Sequence, residues 1–465
     1  MRILVVLALL CGVAVARPGG GHSFHSSSHS SSHSYSHSYS GGSHYSSGHS
    51  TGDPGATLAI LLVFVVIVIL IAVIQSAARS HAPITSGRVS PLAAVPQVRR
   101  DLYNLRADDP DFSRPVFEDF AYRLYADARR HGGAGLARYF APGAREKLTE
   151  RADQVVIGAM RIVGSRVVAG ENQLVVHYEA NLASGRQTRY VVERWYFYRA
   201  HGVKTKPPKT QAWPCPSCGA PWDGADPQKC AHCGEVIAPG RLDWAVSDMA
   251  IESVENVGAT LTGTVEEVGT DYPTVSAPDA RSQAMALNAD DAAVTWPALQ
   301  GRVAMVYQRL DAAWNKSDLA DVRGLVTRSL QDYLRYWLDE YRRQGLANHL
   351  EDARIDRIDL AKIERDRWFD AVTVRVFATG HDYTLQGDKV VGGSRTRARA
   401  YSEYWTFLRS SARRGPIVTE PRCTNCGAPL QISDAGACEH CGAELENGSF
   451  DWVLSKIEQD EVYAG

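Results

Sequence analysis

Eight of the nine cysteines in this 465-residue chain form two sets of four with identical spacing. Each set follows the pattern C-x2-C-x11-C-x2-C, in the stretches CPSCGAPWDGADPQKCAHCG and CTNCGAPLQISDAGACEHCG. A C-x-x-C-G turn directs two thiolates toward one point, and two such turns are typical of a zinc ribbon. The sequence therefore predicts two structural zinc ions, with the ligands Cys215, Cys218, Cys230, Cys233, Cys423, Cys426, Cys438 and Cys441.

This ligand set restricts the chemistry of the predicted metal. Four thiolates close the tetrahedral shell of Zn²⁺ and leave no position for a water molecule, so metal-assisted hydrolysis is not expected. Each metal is instead expected to fold its own loop, with a binding free energy on the order of 10 kcal/mol. Disulfides and redox-active C-x-x-C pairs are the alternatives. His232 and His440 stand between the last two cysteines of their sets and either replace a ligand or orient a thiolate, or are exposed residues without such a role.

Other signatures of catalysis or nucleic-acid binding are missing from the sequence. It contains no P-loop, no H-E-x-x-H and no dinucleotide fingerprint. The 50 Lys and Arg residues nearly balance the 52 Asp and Glu residues, whereas nucleic-acid-binding domains are usually clearly basic. We therefore predict a non-enzymatic protein that does not bind nucleic acid.

The first part of the chain carries targeting signals. Residues 1–16 are predicted to be a signal peptide, because Arg2 precedes an apolar stretch that ends in small residues. An uncleaved signal anchor is the alternative. Residues 17–55 are rich in Ser, His, Gly and Tyr, so we expect a disordered tether. Loose metal binding by its histidines is the alternative function of this segment.

A membrane-spanning helix is predicted at residues 56–76, because the stretch ATLAILLVFVVIVILIAVI carries no charge. No Lys or Arg occurs between residues 18 and 78, whereas Arg79, Arg88, Arg99 and Arg100 follow the helix. The positive-inside rule then places the C-terminal side in the cytoplasm. We predict a single-pass protein of the cell inner membrane, with its N-terminal segment outside and a linker at residues 77–97.

The part after the linker contains an internal duplication that surrounds both ribbons. An E-x-W-x-F-x-R pattern and a later Asp-Trp pair occur twice: Glu193, Trp195, Phe197, Arg199 and Trp244, then Glu403, Trp405, Phe407, Arg409 and Trp452. A ribbon lies between these two marks each time. We predict a first domain at 98–260 with its ribbon at 213–237, a linker at 261–296, and a second domain at 297–465 with its ribbon at 421–445.

Hydrophobic periodicity indicates which elements hold the ribbons. Val303, Val306 and Leu310 recur at helical spacing, and so do Leu330, Leu334 and Tyr341. Strands are predicted where residues alternate, at Val372, Val374 and Val376 and at Arg395, Arg397 and Arg399. Helices followed by an antiparallel sheet give an α+β class, with two repeated domains that each have helices packed on one face of a curved sheet. The tryptophan and phenylalanine of each E-x-W-x-F-x-R pattern are interpreted as core residues, with a ligand pocket as the alternative.

The row Arg395, Arg397 and Arg399 is the one candidate binding site outside the cysteines. Three guanidinium groups on one strand face would suit an anionic lipid or an acidic partner. The alternative is a solvated strand face whose arginines pair with neighbouring carboxylates.

A family resemblance covers the second domain well and the first more weakly. AMVYQRLDAAWNKSDLADVRGLVTRSLQDYLRYWLDEYRRQGLANHLE, EYWTFLR and FDWVLSKI resemble the mitochondrial import inner membrane translocase subunit 44-like domain family. The resemblance implies the cone-shaped fold of nuclear transport factor two in a bacterial membrane-anchored member. It also implies a membrane adaptor or scaffold for an unidentified protein client, linked to protein translocation or membrane-protein handling. A small-molecule enzyme that uses the cone pocket and an anionic-lipid-binding module are the alternatives.

Overall fold

The computed structural model describes residues 95–465, with gaps at 134, 186, 207–212, 221, 223–225, 227, 257–260, 262–268, 421, 424, 434–436, 444, 446–447, 450, 461–462 and 464. The predicted signal peptide, Ser/His-rich segment and membrane-spanning helix lie outside the described residues. Among the helices that the structure does describe, none combines the length and apolar character needed to cross a membrane.

The first half of the described chain is a group of helices followed by a four-stranded sheet. The strands are all antiparallel and neighbour one another in chain order. The elements are α1 (Val95–Asp108), α2 (Arg114–His131), α3 (Pro142–Glu146), β1 (Gln154–Val168), β2 (Glu171–Ser184), β3 (Gln187–Ala200) and β4 (Ala245–Asn256).

The second half repeats this order of elements. Its sheet has the order β5-β6-β8-β9, and the short strand β7 pairs with the far end of β6. The elements are α4 (Ala280–Asp290), α5 (Trp296–Asn315), α6 (Arg328–Arg343), β5 (Leu346–Arg365), β6 (Phe369–Gln386), β7 (Lys389–Gly393), β8 (Arg399–Ser410) and β9 (Val453–Gln459). The α and β composition and the two antiparallel sheets follow the predicted class.

One sequence prediction about these elements is wrong, and one helix was not predicted. The segment 261–296, predicted as a linker, contains helix α4, whose buried residues are only Ala280 and Leu287 and therefore give little periodic signal. Arg395 and Arg397 do not lie on a strand with Arg399, which is the first residue of β8. The hydroxyl of Ser394 accepts hydrogen bonds from the backbone amides of residues 396 and 397, so this stretch forms a turn.

The long helix of each half begins with the same capping device. Ser113 precedes α2 and Thr295 precedes α5, and each hydroxyl accepts a 3.3 Å hydrogen bond from the amide three residues later. A proline follows within the first helical turn, where its missing N–H costs nothing. The matching caps agree with a duplication.

In the first half, the E-x-W-x-F-x-R pattern forms a buried polar frame within the core. The carboxylate of Glu193 accepts a 3.2 Å hydrogen bond from the indole of Trp195 and pairs with Arg129. Arg199 forms a 2.7 Å ion pair with Asp109, and both side chains are no more than 1% exposed. The guanidinium of Arg199 also lies 4.6 Å from the ring centre of Trp244.

The second half repeats the frame. Glu403 accepts a 3.0 Å hydrogen bond from the indole of Trp405. Arg409 pairs with Asp291 at 3.1 Å and lies 4.8 Å from the ring centre of Trp452. Because each arginine joins the strand before a ribbon to the Asp-Trp pair after it, the frame fixes both ends of the ribbon insertion. Trp195, Phe197, Trp405 and Phe407 are at most 2% exposed, which confirms the core interpretation.

The halves differ most in the helix that precedes each sheet. Helix α3 has five residues, whereas α6 has 16 and is buried on two sides. Leu334, Trp337 and Tyr341 belong to the core of the second half, and the same apolar cluster includes Val156 of β1 and Ala183 of β2. Helix α6 therefore packs against both sheets.

Charged side chains complete the contact between the two halves. Glu118 of α2 lies 2.8 Å from Arg114 and 2.5 Å from the ammonium of Lys456 on β9. Burial alone would raise the pKa of Glu118, but Lys456 and Arg114 outweigh it and lower the pKa. Tyr122 donates a 3.2 Å hydrogen bond to the carbonyl of Ser329. The two halves are thus joined by both apolar and charged contacts.

The buried frame predicts a large stability loss for Asp109→Asn. The substitution leaves Arg199 buried and without its counter-charge, and breaking a buried ion pair in this way costs about 3–5 kcal/mol. The matched control is Asp339→Asn, because Asp339 pairs with Arg342 where both side chains are more than 40% exposed. We expect the control to cost less than about 1 kcal/mol. Denaturant unfolding followed by tryptophan fluorescence measures both, and equal losses would contradict the assignment.

Candidate metal centres

The fold brings each set of four cysteines together at one point. All four Sγ atoms of each set lie within 4.8 Å of one another. In each set, the Sγ atoms of the first and fourth cysteines, and those of the second and third, lie 3.8–4.0 Å apart. A tetrahedral ion with bonds of about 2.3 Å to sulfur requires S–S edges of about 3.8 Å. The spacing fits a four-thiolate metal ion such as zinc and is much longer than a disulfide bond of about 2.05 Å.

Glycines shape the knuckles in the way that the C-x-x-C-G pattern predicts. The glycine after each C-x-x-C pair has φ between 70° and 79°, a region that other residues seldom adopt. The amide of Gly219 donates to the carbonyl of Cys215 at 2.8 Å, and Gly427 donates to Cys423 at the same distance. These turns place the two thiols of each knuckle on one side of the backbone.

Each ribbon has a buried and an exposed pair of ligands. Cys215, Cys230, Cys423 and Cys438 are at most 2% exposed, whereas the second and fourth cysteine of each set are exposed. His232 and His440 are also exposed, and the ligand groups found in the described residues consist of cysteines alone. The structure therefore gives these histidines no place in the ligand sets.

One thiol in each ribbon has a lowered pKa. Backbone N–H groups of Cys233 and His232 lower the pKa of Cys230 to about 6. In the second ribbon, the side-chain amide of Asn425 lies 3.4 Å from Sγ of Cys441 and lowers its pKa to about 6. Because the thiolate is the form that binds metal, both ribbons offer one ligand that is already charged at neutral pH.

Aromatic and polar contacts seat the first ribbon on its domain. The indole N–H of Trp213 donates a 2.6 Å hydrogen bond to Asp127 of α2. The Trp213 ring packs against Tyr139 and Phe120, with ring centres 5.2 and 5.9 Å apart. Arg138 donates to the carbonyl of Trp213 at 2.7 Å. The residues just before Cys215 are therefore fixed to α2 and to the turn that follows it.

A single arginine holds both ends of the second ribbon. Arg302 of α5 is 2% exposed and donates to the carbonyls of Val418, before the ribbon, and Trp452, after it, at 2.6–2.9 Å. Its guanidinium lies 3.6 Å from Asp451, which accepts a hydrogen bond from the amide of Val418. Sequence reasoning missed both Arg138 and Arg302, because a lone arginine in a helical pattern carries no spacing signal.

The other predicted site residues lie on the second domain outside its ribbon. Arg395 and Arg397 are exposed in the turn between β7 and β8, and Arg399 is half-buried. The guanidinium of Arg395 lies 5.1 Å from the ring centre of Tyr383. The structure therefore does not align the three arginines as one row.

The comparisons with known protein families match part of the second domain. Residues 282–417 match the family model described as Tim44-like domain. The matched range begins within α4 and ends just after β8, before the ribbon. The match confirms the resemblance seen in the sequence over this range, which includes most of α4. No curated protein matches the chain.

Metal analysis distinguishes the two centres. We expect about two zinc ions per purified full-length chain, and about one after either Cys218→Ser or Cys426→Ser, because each substitution opens one four-thiolate site. Met285→Ser, at a 74% exposed position of α4 outside both sets, is the matched control and keeps two. Elemental analysis and native mass spectrometry give the stoichiometry. A chain that retains two ions after Cys218→Ser would contradict the assigned ligands.

Proposed function

We propose that this chain, whose residues 282–417 form a Tim44-like domain, is a non-catalytic adaptor at a membrane that presents a two-domain body to a protein client in protein translocation or membrane-protein handling. The family match carries the proposal. The predicted membrane-spanning helix at 56–76 supports an integral anchor, with the two domains on the cytoplasmic side.

The bonds that the buried charged side chains make to their neighbours support a non-catalytic role. Glu193 bonds to Arg129 and to an indole, and the arginines at the ends of both frames pair with buried aspartates. A general acid or base must reach a substrate in a cavity, whereas these groups are occupied by neighbours in the core. The four-thiolate centres likewise offer a metal no open coordination position.

An edge strand offers the client a surface. Strand β4 lies at the edge of the first sheet, so beyond the bridge from Phe140 to Val246 one side of its backbone has no strand partner among the described residues. Ile251 and Val254 on this strand are 49% and 48% exposed. Exposed apolar residues on a free strand edge suit an extended polypeptide, which adds main-chain hydrogen bonds to side-chain contacts.

Site-specific photo-crosslinking tests the adaptor. A photoreactive phenylalanine derivative replaces Ile251 or Val254 in the full-length chain, and Met285 on α4, which is 74% exposed, is the matched control. We expect irradiation of intact membranes to link membrane proteins or translocating precursors at positions 251 and 254, and not at 285. Mass spectrometry identifies the products. Equal yields at all three positions, or none, would count against a client on β4.

Binding to anionic lipid is the second candidate, and one observation favours it. The connection from β7 to β8 exposes Arg395 and Arg397, and Lys389 and Val390 of the adjoining hairpin are also exposed. Basic and apolar side chains together suit an anionic membrane surface. We expect the chain to bind anionic vesicles more strongly than neutral ones, and Ala substitutions at 395, 397 and 399 to remove the difference. Unchanged vesicle binding would exclude this candidate.

A further inference from the structure

A buried cation beside the first ribbon has no carboxylate partner in the described part of the chain. Arg138 is 2% exposed, and its guanidinium donates to the carbonyls of Gly135 and Trp213 at 2.8 and 2.7 Å. It also lies 4.2 Å from the ring centre of Trp222 and 4.8 Å from that of Tyr139. Its Nε atom is buried and lacks a hydrogen-bond partner among the described atoms.

Such a cation is costly to bury unless an anion lies nearby. Carbonyl oxygens and aromatic faces offset part of the lost hydration, but a buried charge normally requires an opposite charge. Burial lowers the pKa of Arg138; Tyr139 opposes this most strongly, and Cys215 and Cys230 act in the same direction as Tyr139 to a smaller extent. Four thiolates around one divalent ion carry a formal net charge of roughly −2. This centre supplies the negative charge that Arg138 requires.

The second ribbon has a different residue at the equivalent place. Phe140 bridges Val246 and Val326 bridges Leu454 in the same parallel manner, so Arg138 and Gly324, each two residues earlier, are counterparts. A Cβ on Gly324 would lie 2.5 Å from Ile432 and 3.1 Å from Leu445. The second ribbon thus rests on its domain through apolar contacts, at the position where the first has an arginine.

We propose that Arg138 is the counter-ion of the metal–thiolate centre in the first ribbon, and that the second ribbon holds its metal with no equivalent cation among the described residues. Metal binding by the first ribbon and the attachment of that ribbon to its domain then depend on each other. The bound metal supplies the charge that keeps the guanidinium buried, and the guanidinium favours the charged, metal-bound thiolates. Loss of metal leaves Arg138 uncompensated and loosens the ribbon from its domain, whereas the second ribbon keeps its apolar seat.

Zinc transfer to a chromogenic chelator tests the proposal in the full-length, zinc-loaded chain. Cys218→Ser and Cys426→Ser each leave one ribbon, so they assign the two phases of release. We expect Arg138→Gln to weaken zinc binding in the first ribbon about 10- to 100-fold, as losing an outer-shell partner commonly does. Release from the second ribbon should not change. Arg138→Lys, which keeps the charge, should restore most of the affinity, and Arg335→Gln, at a surface arginine, is the matched control.

A stability cycle separates the counter-ion from a merely structural arginine. If Arg138 acts only through its two carbonyl bonds and its ring contacts, Arg138→Gln lowers the unfolding midpoint equally with and without zinc. A counter-ion predicts a larger loss in the zinc-loaded chain than in the metal-free chain. Equal losses, or release from the first ribbon that stays unchanged in Arg138→Gln, would overturn the proposal. If Arg138→Gln does not fold, Arg138→Met and the lysine variant provide the same comparison.

Discussion

The buried ion pair between an arginine and an aspartate constrains each half of the molecule more than any other contact. Arg199 with Asp109, and Arg409 with Asp291, join the end of a central strand to the residue that follows a helix. Each arginine also stacks on the tryptophan that precedes the last strand. Because charges buried to this degree are costly when separated, the pair holds the helix, the strand and the returning chain in one arrangement. A ribbon can be inserted between these points without loss of the sheet.

The two halves differ in ways that join them. A long α6 fills space against both sheets, whereas α3 in the first half is reduced to little more than one turn. Tyr336 of α6 is 4% exposed and lies close to Asn181 and Thr188 of the first sheet. The first sheet is therefore covered in part by a helix of the second domain. Such shared packing makes one body of the two repeats.

The sequence contains much of this architecture, because some constraints appear as spacing and others do not. Cysteine spacing predicted both ligand sets, and apolar periodicity predicted α5, α6 and β6. Helix α4 was missed because only two of its side chains are buried. The turn at Ser394 depends on one hydroxyl, which outweighs an alternation that suggested a strand. Arg138 and Arg302 act over long sequence separations, so no local pattern could identify them. The N-terminal signal and membrane segments remain predictions.

Identical ligand spacing does not make the two ribbons equivalent. The four thiols specify a metal in each, but the surface against which the ribbon rests differs, with Arg138 and tryptophans in one and Gly324, Ile432 and Leu445 in the other. The attachment of a ribbon through a charged residue depends on the charge of the metal centre, whereas attachment through apolar contacts depends on the buried area. The first ribbon therefore couples metal occupancy to the shape of its domain, and the second is held by packing and by the bonds of Arg302 to its two ends. The two ribbons share their ligand spacing but differ in the residues that contact them. Their attachment to the two domains therefore differs in strength and in its dependence on metal.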